Sequence, residues 1–400
     1  MRFIPDDRTQ RRLALGNLVS MTGTGATMSA LVVFLSAAKH LPLGQAASLL
    51  ATSGLVGVLG AVPVGQLSDR YGARSLAVVT ELVCALATVL LLAAASPWLL
   101  ALCLAVRQLA TSGNTAARAT LMGKLVPPEG RTALRAYQRS VSNIGFSVGA
   151  LLSALAVSTG TTWALYALLA LDAATFCVSA LTTSRLPATA RGATGRGLGR
   201  DALGDGGYLT VSLLNAVHAL NRAVVSIGVP LWIVYGSDLP PWTTSAAMIL
   251  NTAVVVALQA RLSRPAKDLA GARRALLAAG ALTAVGCAAL AAAERAVWPL
   301  FVTACLALAL GEILGAAAGW TLSYDLAPDH LLGQYQGMWQ LIADGSAKAA
   351  GPAVIGWTVA AGPAGWALLA AGFAGAAAAS PPVVTWASAR TRRLKTEVTG

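Results

Sequence analysis

Several ionisable side chains stand inside long apolar stretches of this sequence. The acids are Glu81, Asp172, Glu312 and Asp344, and the permanent bases are Arg107, Arg222 and Lys348. In a bilayer, a charge at mid-depth costs about 2.5–3.5 kcal/mol even on the mildest scale, so each needs a partner or a task. Four acids against three bases leave one acid without an obligate partner, and His218 can also titrate. These side chains are therefore candidates for binding a proton or a substrate.

The stretches that carry these charges have the length of membrane helices. The composition is 56% hydrophobic and 11% charged, whereas soluble domains carry about 25% charged residues. About 20 apolar residues cross a bilayer as a helix, and the stretches lack the period-2 alternation of a β-barrel. The sequence predicts spans 1 to 12 at residues 12–36, 44–66, 75–95, 98–120, 132–157, 162–182, 207–235, 241–261, 273–292, 297–320, 333–358 and 363–386.

The basic residues indicate how the chain is oriented. Of the 29 Lys and Arg residues, Arg107, Arg222 and Lys348 are expected inside the spans, only Lys39 and Arg295 outside the cell, and the other 24, which include Arg118, on the cytoplasmic side. This distribution follows the positive-inside rule, so both termini are expected in the cytoplasm. The net charge of +13 then reflects topology and does not indicate a nucleic-acid partner. The excess of Arg over Lys and the abundant Ala favour a bacterial source, and hence the bacterial cytoplasmic (inner) membrane.

Short motifs recur at an offset of about 200 residues, which is a sign of duplication. The matching pairs are Leu67–Arg70 with Leu262–Arg264, Tyr137–Gln138 with Tyr335–Gln336, Pro127 with Pro328, and Trp163–Leu165 with Trp366–Leu368. Their order predicts a six-helix half at 1–182, a cytoplasmic linker at 183–206, and a second half at 207–400 that ends in a short basic cytoplasmic tail.

A ten-residue motif between spans 2 and 3, Gly65-Gln66-Leu67-Ser68-Asp69-Arg70-Tyr71-Gly72-Ala73-Arg74, is expected to form a short charged turn. It resembles the loop signature of the major facilitator superfamily (MFS), and the resemblance extends from the span count to the linker. It implies an all-α integral membrane protein whose twelve transmembrane helices form two parallel-repeat six-helix bundles. Such a protein transports its substrate by alternating access.

The resemblance also gives the motif a role. Asp69 would face the positive N-terminal end of span 11, near Leu332 to Tyr335, when the cytoplasmic side is closed. Arg70 and Arg74 would tie the turn to acids or lipid phosphates. The second copy carries Arg264 in place of Asp69, which favours a one-sided task. We interpret Gly65, Asp69, Arg70, Gly72 and Arg74 as a cytoplasmic gate latch.

By the same resemblance, spans 1, 4, 7 and 10 line a central cavity and spans 2, 5, 8 and 11 lie at its seams. Arg107 followed by Gly113 is similar to the family's R-x-x-x-G element, which is linked to substrate or proton handling; a static Arg107–Asp172 bridge is the alternative. Glu312 is the leading unpaired acid, and Glu81 on the peripheral span 3 is interpreted as structural. The remaining substrate or proton candidates are Asn114, His218, Arg222, Asp344 and Lys348.

Asp344 and Lys348 are four residues apart, acid first, which is the better order for a helical ion pair. With Gln336 and Gln340 they form a polar stripe, so a self-neutralised pair and a cavity wall both remain open. Helix packing is the expected role of Gly145, Gly149, Gly351 and Pro352, because small residues four apart let helices approach. Span 5 lacks the proline that antiporters of this superfamily often carry.

The resemblance, together with the sparsely charged cavity that it implies, favours proton-coupled efflux of a small amphipathic organic compound, such as an antibiotic, by a monomer in the lipid bilayer. An importer of a small metabolite, or a transport-inactive sensor, is the alternative. No cofactor or metal is expected, because the cysteines lie singly inside spans and His40, His218 and His330 are scattered along the chain. The same scatter excludes a clustered catalytic site, so no enzyme is expected.

Overall fold

The computed structural model describes residues 7–189, 200–240, 242–293 and 298–399. Side chains are described throughout these ranges except at Ser29, Asp344, Ser346, Ala347 and residues 391–399. Every regular element in these ranges is helical.

Six spans precede the linker. They are formed by Arg8–Val33 with the π-helical Phe34–Ala38, Leu43–Val58 with Ala61–Tyr71, Ala73–Ala93, Pro97–Leu125, Pro128–Ser158, and Thr162–Ser184. Side chains cap the N-termini of some of these helices. The Asp7 carboxylate accepts from the Thr9 N–H at 3.0 Å, and Ser96 Oγ accepts from the Leu99 N–H at 3.3 Å. Such caps satisfy backbone N–H groups that have no partner within the helix.

The remaining spans follow the short helix Arg200–Gly204. Span 7 contains Gly206–Ala219, Asn221–Ala223, the π-helical Val224–Gly228 and Val229–Tyr235. Spans 8, 9 and 10 are Thr243–Leu262, Leu269–Ala292 and Trp298–Asp325, with a 3₁₀ turn at Arg264–Ala266. After the 3₁₀ turn Asp329–Leu331, span 11 contains Leu332–Trp339, the π-helical Gln340–Gly345 and Ser346–Ala360, and span 12 is Gly362–Thr399.

Most of these helices are long and apolar enough to cross a bilayer. Among the described residues, eight helices qualify, or ten if each bent pair in spans 1 and 2 counts as one span. Spans 4 and 11 complete the twelve; span 4 carries Arg107, Gln108 and Asn114 within its apolar run. The all-helical membrane fold predicted from the sequence is therefore confirmed.

The predicted ten-residue turn between spans 2 and 3 is wrong. Helix Ala61–Tyr71 continues through most of the motif, and span 3 begins at Ala73. The break is confined to Gly72, whose φ of 93° is available mainly to glycine. Charged residues at a membrane surface are compatible with helix, so the end of the apolar run did not mark the end of the helix.

Contacts divide the chain into two compact units. The first contains residues 1–127, 137–201 and 329–340, and the second contains 128–136, 202–328 and 341–400. Each unit thus includes a short stretch from the other predicted half, namely the start of span 5 or the start of span 11. The division of the chain at the linker stays a prediction.

The first unit has an apolar end and a polar end. Phe34, Leu91, Leu100 and Leu169 are buried together at the end remote from the linker. At the opposite end, Arg12 Nη1 donates to the Arg185 carbonyl oxygen at 3.0 Å, so the start of span 1 meets the end of span 6. We call this end the linker side. The second unit has its own core, which includes Trp232, Phe301, Trp366 and Phe373.

Candidate functional site

Asp69 lies near the linker-side end of span 2 and is 2% exposed. Its Oδ1 accepts from the Gly333 N–H and its Oδ2 from the Gln334 N–H, both at 2.9 Å. Lys124 Nζ, near the end of span 4, donates to Oδ1 at 3.2 Å. We call these four residues the Asp69 clasp. The contact with the start of span 11 that the resemblance implied is present, whereas sequence reasoning missed Lys124.

Glycines bring the two helices of the clasp into backbone contact. A Cβ on Gly65 would overlap the carbonyl oxygen of Gly333 and would come within 3.0 Å of the Gly337 Cα. In the reverse direction, a Cβ on Gly333 would lie 2.9 Å from the Asp69 Cγ. Only residues without a side chain permit this approach, so Gly65 and Gly333 set the geometry in which the carboxylate reaches the N–H groups.

The electrostatics of the clasp are favourable at both ends of the carboxylate. The N–H groups of Gly333 and Gln334 belong to the first turn of the helix Leu332–Trp339, where the helix dipole is positive. Such a position stabilises an anion by about 0.3–1 kcal/mol when exposed and by up to ~2 kcal/mol when partly buried. Lys124 adds a second positive group on Oδ1.

Among the described residues, the two arginines of the motif show no ion pair with an acid. Arg74 Nη1 donates to the Leu186 carbonyl oxygen at 2.9 Å, which ties the start of span 3 to the segment after span 6. The Arg70 guanidinium lies over the ring of Tyr71 at 5.3 Å. Arg74 therefore reaches a backbone carbonyl, and the tie of Arg70 and Arg74 to acids or lipid phosphates stays a prediction.

Arg107 and Asp172 form a buried ion pair inside the first unit. Arg107 Nη2 donates to Asp172 Oδ2 at 2.7 Å, and Nε donates to Thr88 Oγ1 at 3.2 Å. Nη2 also reaches Thr27 Oγ1 at 3.4 Å, and the guanidinium lies 5.9 Å from the centre of the Phe176 ring. The structure thus shows the bridge that the sequence left open as an alternative.

Asn114 lies on the same helix as Arg107 but has a different task. Its Nδ2 donates to the Ala77 carbonyl oxygen and to Thr80 Oγ1, both at 2.9 Å. Both acceptors belong to span 3, so the Asn114 amide is bound between spans 3 and 4. This geometry favours helix packing for Asn114, and a role in substrate binding stays a prediction.

Glu81 has a partner that sequence reasoning missed. Arg118 Nη1 donates to Glu81 Oε1 at 2.6 Å, and Ser179 Oγ donates to the same oxygen at 2.8 Å. Sequence reasoning placed Arg118 among the cytoplasmic bases. The available signal was its spacing of eleven residues from Arg107, which is three helical turns and puts both guanidiniums on one face of span 4.

In the second unit, His218 is buried against span 12. Its Nε2 lies 3.1 Å from Ser380 Oγ, and a Cβ on Gly280 would come within 2.7 Å of its Cε1. Arg222 is exposed, so the two members of the predicted His218–Arg222 face differ in environment. Tight packing around His218 favours the structural interpretation of this histidine.

Glu312 lies half-buried on span 10. Asn251 Nδ2 of span 8 donates to its Oε2 at 3.4 Å. Lys348 is exposed, and the side chain of Asp344 lies outside the described residues. The Asp344–Lys348 pair therefore stays a prediction.

The glycines predicted for helix packing lie at close contacts. A Cβ on Gly149 would overlap the Thr22 carbonyl oxygen, and one on Gly145 would come within 2.6 Å of the Leu18 carbonyl oxygen. Spans 1 and 5 thus touch at the backbone. In the second unit, a Cβ on Gly351 would lie 2.9 Å from the Ala223 Cβ, and Pro352 lies inside the helix Ser346–Ala360.

The second unit has a linker-side contact of its own, which the sequence did not reveal. Arg135 Nη2 donates to Tyr324 Oη at 2.6 Å, and the guanidiniums of Arg131 and Arg135 each lie 5.4 Å from the centre of the Tyr324 ring. Thr132 Oγ1 lies 2.9 Å from Thr321 Oγ1, which donates to the Ala266 carbonyl oxygen. We call this group the Tyr324 contact.

Within the described part of the chain, no group of three or more His, Cys, Asp or Glu residues could hold a metal ion.

The comparisons with known proteins agree with this architecture. The family model described as Major Facilitator Superfamily matches residues 13–352. A search of the curated proteins found no match.

Solved structures of transporters resemble the whole chain. A bacterial homologue of the iron transporter ferroportin, in an outward-facing state, has a TM-score of 0.75 at 15% identity, covering 96% of this chain and 100% of that one. The E. coli fucose:proton symporter has a TM-score of 0.74 at 13% identity, covering 95% and 98%. The human organic anion transporter MFSD10 has a TM-score of 0.69 at 14% identity, covering 95% and 100%. The chain belongs to the Major Facilitator Superfamily and is a multi-pass membrane transporter, not an enzyme.

Proposed function

We propose that this protein exports a small amphipathic organic compound by alternating access, driven by protons that flow into the cell. The Asp69 clasp carries the proposal. Its carboxylate on span 2 holds the start of span 11 through two backbone N–H groups. Span 11 belongs to the second half of the sequence, so opening the clasp would free the linker side and closing it would seal that side.

The strength of the clasp suits a gate. Hydrogen bonds to a charged group contribute about 1.5–3 kcal/mol each. The two states of a carrier differ by only a few kcal/mol, so making or breaking such a contact is enough to shift their populations. Both bonds from Asp69 end on backbone N–H groups, so they do not depend on the side chains that this turn of span 11 carries.

The distribution of basic residues supports a cytoplasmic position for the clasp. Lys and Arg residues concentrate on the linker side, and the positive-inside rule assigns that side to the cytoplasm. Both termini and the linker would then lie inside the cell. The membrane would be the bacterial inner membrane, and the working unit a monomer.

Proton coupling is supported by the titratable groups inside the spans. Glu312 remains the first candidate, since it is a half-buried acid on a span that the family arrangement places at the cavity. Asp172 is the second, although Arg107 holds it in an ion pair. His218 is the third, enclosed against Ser380.

The substrate class is argued from span 1. Asn17, Met21, Thr24 and Met28 follow one stripe of this helix, and Met28 is 66% exposed. Flexible thioether side chains adapt to varied apolar shapes. The Asn17 amide nitrogen already donates to span 5 and the Thr24 hydroxyl to a backbone carbonyl, so their oxygens are the atoms that can accept hydrogen bonds from a substrate. A compound with both apolar and polar parts fits this lining.

The test is flux in proteoliposomes with an imposed pH gradient. Candidate fluorescent amphipathic compounds are loaded on one side, and their movement is followed with and without the gradient. We expect gradient-driven movement opposite to the protons, which Glu312→Gln should abolish. Flux that ignores the gradient would rule out proton coupling, and retained coupling in Glu312→Gln would move the assignment to Asp172 or His218.

An importer of a small metabolite is the second candidate. It is favoured by the structural likeness to proteins described as fucose:proton and xylose:proton symporters. The same vesicles decide between the two, because a symporter would move its substrate in the direction of the protons. A transport-inactive sensor would show no net flux in either direction.

A further inference from the structure

A buried carboxyl group of the first unit is not used by the proposed transport site. Glu81 is 1% exposed and lies on span 3, about two turns in from its linker-side start. Its Oε1 accepts from Arg118 and from Ser179. Its Oε2 is buried and has no hydrogen-bond partner in the part of the chain that the structure describes.

A second buried polar atom without a partner lies near this carboxyl group. It is the hydroxyl of Thr183, one turn beyond Ser179 on span 6 and close enough to Glu81 to interact with its carboxyl group. Thr183 is 2% exposed, and its Oγ1 has no hydrogen-bond partner among the described residues. Leaving a buried polar atom unsatisfied costs about 1–3 kcal/mol, so two such atoms side by side call for an explanation.

A hydroxyl group can satisfy this carboxyl in either charge state. Thr183 can donate its proton to an ionised Oε2, or accept a hydrogen bond from a protonated Oε2–H. Both forms of Glu81 can therefore use the same hydroxyl as a partner. This is the property that a reversible proton-binding group needs.

Arg118 can remain charged when Glu81 becomes neutral. Its side chain is 17% exposed, so it keeps contact with the surroundings of the linker-side part of the unit. The other groups that face Glu81 are the hydroxyls of Ser179 and Thr183 and, through Ser179, the Gly16 carbonyl oxygen of span 1. Glu81 and Arg118 are thus the charged groups of this cluster.

We propose that Glu81 is a proton-binding site, with Thr183 as its switching hydrogen-bond partner and Arg118 as its counter-charge. A proton from linker-side water joins Oε2 and forms an O–H bond; release returns that proton to water, and no other covalent bond changes. The use of this proton in transport rests on the proposed proton coupling, whereas its binding does not.

Infrared difference spectra of the full chain in lipid nanodiscs test the site. When the pH is raised from mildly acidic to mildly alkaline, we expect the C=O band of a buried, protonated carboxyl group to disappear. Glu81→Gln should remove this band at every pH. Glu129→Gln makes the same change at an exposed position and should leave it. A band that persists in Glu81→Gln, or no such band in the wild type, would overturn the proposal.

Thr183→Val keeps the test valid if Glu81→Gln does not fold. The change preserves the shape of the side chain and removes the hydroxyl, so the band should remain but shift in frequency. An unshifted band would refute Thr183 as the partner and overturn the proposal. If flux ignores a pH gradient while the band behaves as expected, proton-coupled transport fails and the Glu81 site stands.

Discussion

The two units each hold the start of one long helix from the other half of the sequence, and they do so by different chemistry. In the first unit, a carboxylate binds backbone N–H groups of span 11 at a place where glycines touch. In the second, the start of span 5 is held by hydroxyls and by guanidiniums on the Tyr324 ring. Lys124 and Tyr324 occupy corresponding positions near the ends of spans 4 and 10.

The difference between the Asp69 clasp and the Tyr324 contact shows where the duplicated halves have diverged. The Asp69 clasp depends on one ion, one helix N-terminus and two backbones in contact, so a single change can open it. The Tyr324 contact distributes a weaker interaction over several side chains. Arg264, which stands at the position of Asp69 in the second copy, is exposed. The comparison predicts that linker-side gating depends mainly on the first unit.

Asp69→Asn should have the largest effect. The amide would present an NH₂ group to a backbone N–H and would leave Lys124 without its acid. At about 2–3 kcal/mol for charge-assisted bonds, the share of molecules with an open clasp should rise about 30- to 150-fold. Spin labels at Tyr71→Cys and His330→Cys, in a background without the native cysteines, measure this opening as a longer distance.

Asp329→Asn is the matched control for this change. It removes an exposed acid that also lies just before span 11, so it alters the charge near the helix without touching the clasp. Distances and flux should stay at the wild-type values. If Asp69→Asn behaves in the same way, the clasp is not a gate.

Gly65→Ala should have the next largest effect. The new Cβ would overlap the Gly333 carbonyl oxygen, which cannot move without moving span 11. Overpacking of this kind costs about 1–3 kcal/mol, so opening should rise about tenfold in the same spin-label measurement. Gly54→Ala, on the same span with nothing within 4 Å of the added Cβ, is the control. If Gly65→Ala and Gly54→Ala gave the same spin-label distances, close backbone approach at Gly65 would not be what keeps the clasp closed.

Tyr324→Phe should have the smallest effect. It deletes the hydroxyl that accepts from Arg135 but keeps the ring for both guanidiniums, so a loss of ~1 kcal/mol corresponds to about fivefold. Labels at Glu129→Cys and Lys267→Cys report on the start of span 5. Tyr235→Phe, at a side chain that is 77% exposed, controls for the chemical change. An effect of Tyr324→Phe as large as that of Asp69→Asn would contradict the prediction that linker-side gating depends mainly on the first unit.

The sequence predicted those features that depend on composition and on local pattern. Apolar stretches located the twelve spans, and the resemblance placed Asp69 against the start of span 11, where two N–H groups bind it. The helices nevertheless run beyond the apolar stretches, as span 4 does to Leu125. Hydropathy indicates which residues can lie in the apolar part of the bilayer, whereas the length of a helix is set by its backbone hydrogen bonds.

Partners from distant parts of the chain could not be predicted. Lys124 lies 55 residues from Asp69, and Arg118 lies 37 residues from Glu81. Nothing in either spacing selects these bases among their neighbours, because the choice is made by how spans pack and by which helix face is buried. For the same reason, Arg118 was counted with the cytoplasmic bases while its charge is paired inside the unit.

The π-helical segment Val224–Gly228 in span 7 has a consequence for tolerated changes in length. A π turn accommodates one residue more than an α turn, so losing one codon here would still leave a continuous helix. Everything after the deletion would then keep nearly its present orientation, because an α turn replaces the wider π turn. Trp232, which stacks on Phe301 with ring centres 6.0 Å apart, would keep its partner, whereas the loss of one residue from an α-helical part of the span would rotate Trp232 by about 100°. The π-helical segment is therefore a place in span 7 where the chain can shorten by one residue without turning the rest of the span.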